Sequence, residues 1–193
     1  MAGLALMPTR GLCIGLPMVP GVDAYTAALV QNPLETKVAT AAVLAVAGDA
    51  IAQRADPAPY DRARAGSFVL FDAAYRGGFQ HAAFPWIIEH CRGDTLEAAA
   101  TAISPLAEGH LPLFAAIECT AFNQLLVVPV VYYPLFFGIT GAVQGLSTDE
   151  SLQRARDNFV RLTLRNWYFW IPAQFCQFNF LEPEWQGPYT CAM

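Results

Sequence analysis

The chain has 193 residues and a net charge of −5, with 55% hydrophobic and only 14% charged residues, and its mean hydropathy is +0.34. Soluble domains carry about a quarter charged residues, so this composition favours a bilayer or a protein partner as the surroundings of a large apolar surface. Lys and Arg form no basic stripe, which argues against a nucleic-acid-binding protein.

Both ends of the chain and its cysteines carry little signal. The five cysteines are scattered without a Cys-x-x-Cys motif, which is typical of reduced thiols in an intracellular protein. The first 22 residues hold one Arg and three prolines and make a poor secretory or transit signal. We therefore predict a flexible tail over residues 1–24 and a second tail over residues 184–193.

The segment from Cys119 to Thr148 contains no charged residue. A transmembrane helix needs about 20 predominantly apolar residues, so this segment is long enough to cross a bilayer. Three further segments, 34–53, 65–90 and 159–181, have a similar but less pure character. Connectors at 54–64, 92–109 and 146–158 separate the four segments, and Ser147 with Glu150 predicts a capping box in the last connector.

This pattern predicts an all-α fold, an antiparallel bundle of four transmembrane helices with short loops, over residues 25–183. The start of the first helix is marked by Pro33, which fits a first helical position. The first and third loops carry the arginines at 54, 62, 64, 154 and 156, so the positive-inside bias places those loops together on the side away from both termini.

Amides recur through the last apolar segment at helical spacing. Asn166, Trp170, Gln174 and Gln177 follow one another at intervals of four, four and three, so they form one stripe. Hydrocarbon offers no hydrogen-bond partner, and the stripe is therefore expected to face the bundle interior. The amides then either join neighbouring helices or line a path for small polar solutes, and the stripe alone leaves both readings open.

Other polar residues within the apolar segments extend the same question to the whole bundle. Intramembrane ionisable groups are candidate functional residues, and an Asp and Arg four apart on one face can form an ion pair. The candidate lumen or inter-helix residues besides the stripe are Asp49, Gln53, Asp72, Arg76, His81, Glu118, Asn123 and Gln124.

The order of several short motifs resembles the family of the peroxisomal 22-kilodalton membrane protein and its mitochondrial inner-membrane relatives. The motifs are NPLETK, GDAIAQ, a YDRAR loop, GGFQH, NQ with Pro129 beyond, and NWYFWIPAQ, and they extend from about Tyr25 to Pro183. The resemblance implies four transmembrane helices in a mitochondrial inner or peroxisomal membrane. It also implies channel-like passage of small solutes and support of organelle homeostasis.

The chain departs from the family pattern at several positions. Gly78 stands where the family has Pro, Ala83-Phe84 replaces Trp-Tyr, Asn123 replaces Asp, Ile171 precedes Pro172, and Gln177 replaces Asn. A divergent member with these changes is expected to keep the bundle, whereas a pore could be altered or lost. A structural or assembly protein that does not conduct is thus the alternative to a channel.

An enzyme is the remaining class, and the sequence lacks its motifs. His81 and His90 lie nine apart, which points them in opposite directions on one helix, and no His-Glu-x-x-His occurs. The serines lack a nucleophile-elbow context. We expect no catalytic residue, no metal site and no cofactor. The expected partners are the lipid bilayer and small solutes, without nucleic acid, and homo-oligomerisation is left open.

Overall fold

The computed structural model describes residues 21–54 and 59–193, and these residues fold as helices without a strand. The α-helices are α1 (Val22–Gln31), α2 (Pro33–Arg54), α3 (Arg62–Asp72), α4 (Gln80–His90), α5 (Asp94–Ile103), α6 (Leu111–Phe122), α7 (Tyr133–Val143), α8 (Thr148–Phe180) and α9 (Pro183–Ala192). A short 3₁₀ turn, Pro105–Ala107, follows α5. The predicted all-α class is confirmed for this part of the chain.

Two π-helical segments join neighbouring α-helices into longer ones. Ala73–Phe79 connects α3 to α4, and Asn123–Tyr132 connects α6 to α7. The described chain therefore contains four long helices, which we number from first to fourth: α2, residues 62–90, residues 111–143, and α8. Pro129 lies inside the second π segment, where a missing backbone N–H does not interrupt the helix.

The fourth long helix starts at Thr148, eleven residues before the predicted apolar segment, because the capping box forms between Ser147 and Glu150. The Ser147 hydroxyl accepts from the Glu150 N–H at 3.2 Å, and the Ser147 N–H donates to Glu150 Oε2 at 2.7 Å. Both residues thereby satisfy backbone or side-chain groups that a bare helix end would leave without partners. The capping prediction is confirmed.

One described helix, Leu111–Val143, is long and apolar enough to cross a membrane by length and composition. The prediction of four transmembrane helices is not confirmed by this criterion. The first long helix carries Glu35, Lys37 and Asp49, and the fourth begins with a charged stretch and continues with many amides.

The predicted C-terminal tail is wrong, and the predicted N-terminal tail, residues 1–24, overlaps a helix at its last residues. Residues 1–20 lie outside the described residues, but α1 already begins at Val22. Residues 183–192 form α9, which turns back onto the bundle and buries Gln186, Thr190 and Cys191. Tyr189 donates to the Ala173 carbonyl at 3.2 Å, so α9 is held against the fourth long helix.

The long helices pack in chain order, first on second, second on third and third on fourth, and α9 contacts the first, second and fourth. Small residues allow the closest approaches. A Cβ on Gly77 would lie 2.6 Å from the Val38 Cα, so only glycine lets the second helix come this near the first.

Gly141 and Gly145, a GxxxG pair in the sequence, have separate tasks at the turn between the third and fourth helices. Gly141 faces Ser151, whose hydroxyl occupies the place that a Cβ would take. Gly145 has φ +75° and ends α7, where the Leu146 N–H donates to the Gly141 carbonyl at 2.9 Å. That bond and the left-handed glycine are a Schellman helix end.

The distribution of polarity differs from that in a soluble bundle: amides are buried beside the apolar core while many large apolar side chains are exposed, a pattern that we call reversed polarity. Side chains such as Gln124, Asn123 and Gln174 are 3% exposed or less. Large apolar side chains are exposed on each long helix, including Val46 (47%), Leu70 (53%), Leu125 (58%) and Leu164 (59%). Exposed apolar side chains on all four long helices favour contact with lipid or a partner.

Gly141→Ala is expected to destabilise the fold, because the new methyl group overlaps the Ser151 side chain. Gly138→Ala is its matched control, since nothing lies within 4 Å of a Cβ at that helical glycine, and alanine is favoured there by up to about 1 kcal/mol. Thermal unfolding in detergent should give a lower Tm for the first variant and an unchanged or higher Tm for the second. Equal Tm values would contradict the close approach.

The capping box predicts a pH-dependent contribution to stability. Hydrogen bonds from the Ser147 backbone and hydroxyl lower the pKa of Glu150 below its ordinary value of 4.5. A carboxyl with a lowered folded-state pKa stabilises the fold above its unfolded pKa and loses this effect as pH falls through the folded value. The Tm difference between the native chain and Glu150→Gln should therefore be small but positive at pH 7, begin to shrink as pH falls below 4.5, and disappear below the lowered folded-state pKa. A difference that grows on acidification would refute the cap.

Candidate functional site: a polar cavity between the long helices

A small polar cavity of about 30 Å³ lies between the second, third and fourth long helices and α9. The second helix contributes Tyr75, Arg76 and Gln80, the third contributes Asn123, Gln124, Val128 and Tyr132, the fourth contributes Asn166, Trp170 and Gln174, and α9 contributes Thr190. Six of the twelve residues predicted from sequence as interior polar groups therefore meet at one place: Arg76, Asn123, Gln124, Asn166, Trp170 and Gln174.

Four of these residues form a connected amide network, which we call the amide cluster: Asn123, Gln124, Asn166 and Gln174. The Gln174 Oε1 accepts from Asn123 Nδ2 at 2.8 Å and from Gln124 Nε2 at 2.7 Å. Asn166 Nδ2 donates to Gln124 Oε1 at 2.7 Å. The cluster ties the third long helix to the fourth through groups that have no water to bond with in a bilayer.

The π segment explains how two neighbouring amides reach one acceptor. Asn123 and Gln124 are its first two residues, and both are buried. Consecutive side chains of a regular α-helix diverge by about 100°, so a local change of helical geometry at this point helps to aim both toward Gln174. π segments within α-helices are frequent at functional sites.

Arg76 is the charged member of the cavity lining. Its Nε lies 3.0 Å from Asp72 Oδ1, and its Nη1 donates to the Thr190 carbonyl at 2.8 Å. The guanidinium also lies 5.8 Å from the ring of Trp170. The ion pair predicted from the spacing of Asp72 and Arg76 is confirmed. It offsets the free-energy cost of holding a charge in the interior of the bundle.

The cavity retains unused hydrogen-bonding capacity. Gln80 is buried and lines the cavity, yet its Oε1 has no hydrogen-bond partner among the described residues. A polar space needs about 10–15 Å³ to hold a water molecule, so this cavity has room for about one or two. In this conformation the site can hold water but cannot form a continuous aqueous lumen.

Asp49 and Gln53 do not line the cavity, although the sequence placed them with the interior polar residues. Asp49 Oδ1 lies 3.2 Å from Arg64 Nε. Gln53 donates to Asp49 Oδ2 at 2.5 Å and accepts from the Asp61 N–H at 2.6 Å. These groups clamp the end of the first long helix to the start of the second, since Asp61 is the N-cap of the second helix and Arg64 lies in its first turn.

Three further predicted residues also lie away from the cavity. Glu118 binds the start of α5, where it accepts from the Gly93 and Leu96 N–H groups and the Thr95 hydroxyl. His81 Nδ1 lies 3.4 Å from Lys37 Nζ, between the first and second helices. Gln177 is fully buried, but its amide has no hydrogen-bond partner among the described residues.

Sequence reasoning missed Tyr75, Gln80, Val128, Tyr132 and Thr190. Gln80 stands directly before His81 in GGFQH, and this neighbouring amide was the one available signal. The two tyrosines are common aromatic residues in an apolar segment and carry no distinctive pattern. Thr190 was missed because α9 was expected to be a tail.

The Mpv17 / PMP22 family matches residues 141–193 of the chain. The mitochondrial inner membrane protein Mpv17 of Danio rerio is 29% identical over 68 residues, which cover 33% of this chain and 38% of that protein. No solved structure matches the chain. The resemblance stated from the sequence is thus confirmed over the C-terminal segment. The chain spans well under two thirds of the curated relative.

The matched segment holds α8 and α9 and therefore supplies Asn166, Trp170, Gln174 and Thr190 to the cavity. The residues that face them from the second and third long helices lie outside the match. For the lining residues on the second and third long helices, the family correspondence drawn from GGFQH and NQ stays a prediction.

Gln174→Leu is expected to destabilise the fold more than Asn166→Leu. The first change leaves two buried amide donors without an acceptor, whereas the second leaves only Gln124 Oε1 without a donor. Each buried group without a partner costs about 1–3 kcal/mol. Thermal unfolding in detergent should rank the variants in this order. Gln153→Leu is the control, since that amide is exposed and bonds only Asp157, and equal losses in all three would contradict the network.

Proposed function

From the C-terminal Mpv17 / PMP22 segment of this chain and its polar interior, we propose that it is an organelle-membrane protein whose second, third and fourth long helices, with α9, enclose a closed path for small solutes. The amide cluster is the constriction of that path. Passage requires the fourth long helix to move away from the third, because the hydrogen bonds between these helices fill the space where a solute would pass.

The observation that carries the membrane proposal is the reversed polarity of the bundle. Amides and ionisable groups are buried, while Val46, Leu70, Leu125 and Leu164 on the four long helices are exposed. Water would favour the opposite arrangement, whereas a bilayer favours this one. The reversed pattern therefore supports membrane embedding of the three long helices whose composition alone does not suggest it.

The organelle follows from the relatives. The Danio rerio relative is a mitochondrial inner membrane protein, and the family resemblance includes peroxisomal membrane proteins. We accordingly propose the mitochondrial inner membrane or the peroxisomal membrane as the location of this chain.

The polar cavity on the π segments supports passage over a purely structural role. Its lining has a half-buried cation, Arg76, and a Gln80 oxygen without a partner among the described residues, both of which could bond a passing polar solute. Neutral amides and one paired cation favour small neutral or anionic solutes over cations.

A protein that stabilises an assembly without conducting is the second candidate, and the paired amide cluster favours it. Both amide atoms of Gln124 are bonded, and Gln174 Oε1 accepts two donors. In this account the amides join the helices and the cavity holds water only. The proposal contains no catalytic step, since the sequence carries no motif for one.

Membrane integration is tested by alkaline carbonate extraction of the expressed chain with fractionation of the organelles. The proposal predicts that the chain stays in the pellet of a mitochondrial or peroxisomal fraction. Release into the supernatant would overturn both candidate functions.

Gln174→Ala tests the constriction. Shortening this side chain removes the acceptor that holds Asn123 and Gln124, so glucose leak from liposomes containing the variant should rise several-fold over that of the native chain. Gln153→Ala, the same exchange at an exposed position of the same helix, should leave the leak unchanged. If both variants are as tight as protein-free liposomes while Gln174→Ala has a lower Tm, the non-conducting role is correct.

A further inference from the structure

An apolar groove of about 540 Å³ lies on the outer surface between the third and fourth long helices, separate from the polar cavity. Pro129, Pro134 and Gly138 line it from the third helix, and Phe159 and Val160 line it from the fourth. None of these residues belongs to the amide cluster. On the third helix, the compact glycine and proline side chains leave space for the groove. Nothing lies within 4 Å of a Cβ built on Gly138.

One end of the groove is polar and carries a cation. Thr148, Ser151 and Arg156 line it beside the connection between the two helices. Arg156 is exposed and forms no ion pair among the described residues. The acidic groups nearest to it in sequence have other partners: Glu150 is bonded to Ser147, and Asp157 accepts from Gln153 at 2.8 Å.

The polar end and the apolar wall of the groove match the headgroup and the acyl chain of a lipid. Arg156 lies in the charged first part of the fourth long helix, where the groove meets the connection between the two helices. The groove wall continues from there along Val160 and Pro129, away from that connection. Basic pockets between transmembrane helices bind anionic headgroups, and arginine matches the geometry of phosphate.

We propose that this groove binds one anionic phospholipid of the surrounding bilayer, with its phosphate at Arg156 and one acyl chain along the groove. The proposal rests on the membrane embedding under the proposed function but not on solute passage. A bound lipid at this position would bridge the third and fourth helices, the same pair that the amide cluster joins.

Native mass spectrometry of the full chain, released from nanodiscs of equimolar phosphatidylglycerol and phosphatidylcholine, tests the proposal. The native chain should retain one phosphatidylglycerol about fivefold more often than phosphatidylcholine, the preference that one interfacial basic residue supplies. Arg156→Gln should remove the preference, whereas Arg154→Gln should keep it, because that arginine bonds Gln144 and does not line the groove.

Gly138→Leu fills the groove and should abolish retention of either lipid. Gly66→Leu is its matched control, because Gly66 is also an exposed helical glycine with open space around it. Equal retention of both lipids by the native chain, or equal retention by the two leucine variants, would overturn the proposal. So would dimers in the spectra that disappear only in Gly138→Leu, since a second copy of the chain would then occupy the groove.

The outcomes separate this inference from the proposed function. A chain that retains the lipid selectively, but whose Gln174→Ala variant leaks no glucose, supports the groove and refutes the solute path. A Gln174→Ala variant that leaks glucose while the native chain shows no lipid preference supports the solute path and refutes the groove. A chain that carbonate releases from the membrane refutes both.

Discussion

The structure depends on one constraint: side-chain amides that are buried away from water must find their hydrogen-bond partners inside the protein. The amide cluster meets this constraint with the two glutamines at its centre. Gln174 accepts two donors and Gln124 uses both ends of its amide, so the third and fourth long helices are fixed in register. Because each bond satisfies a group that lipid could not, loss of one member affects its neighbours as well.

The same constraint explains two irregular features of the fold, the π segments and the return of α9 onto the bundle. The π segments lie where the second and third long helices contribute side chains to the cavity, so helical geometry is changed at the polar site and regular elsewhere. α9 turns back onto the bundle, and its Thr190 carbonyl accepts a hydrogen bond from Arg76. In a four-helix arrangement without α9, Arg76 would keep its ion pair with Asp72 but lack this acceptor. A helix that starts outside the bundle thereby completes its interior.

Local signals in the sequence predicted much of this architecture. The uncharged run from Cys119, the capping box at Ser147 and the spacing of Asp72 and Arg76 each depend on near neighbours, and each is present in the structure. The inward direction of Gln174 followed from helical periodicity. The π segments, α9 and the clamp of Asp49 with Arg64 depend on contacts between distant elements, so spacing within one segment could not reveal them. Spacing also could not distinguish a polar residue at the end of a helix, such as Gln53, from one in the middle of a helix.

Spin labels at single cysteines would test the reversed polarity most directly. Labels at Val46, Leu70, Leu125 and Leu164, one on each long helix, would be introduced into a cysteine-free chain reconstituted in liposomes. The account predicts that all four collide more often with dissolved oxygen, which concentrates in the bilayer, than with a water-soluble nickel chelate. Preferential collision with the chelate at the positions on the first, second and fourth long helices would show that water surrounds those helices, and the central claim would be wrong.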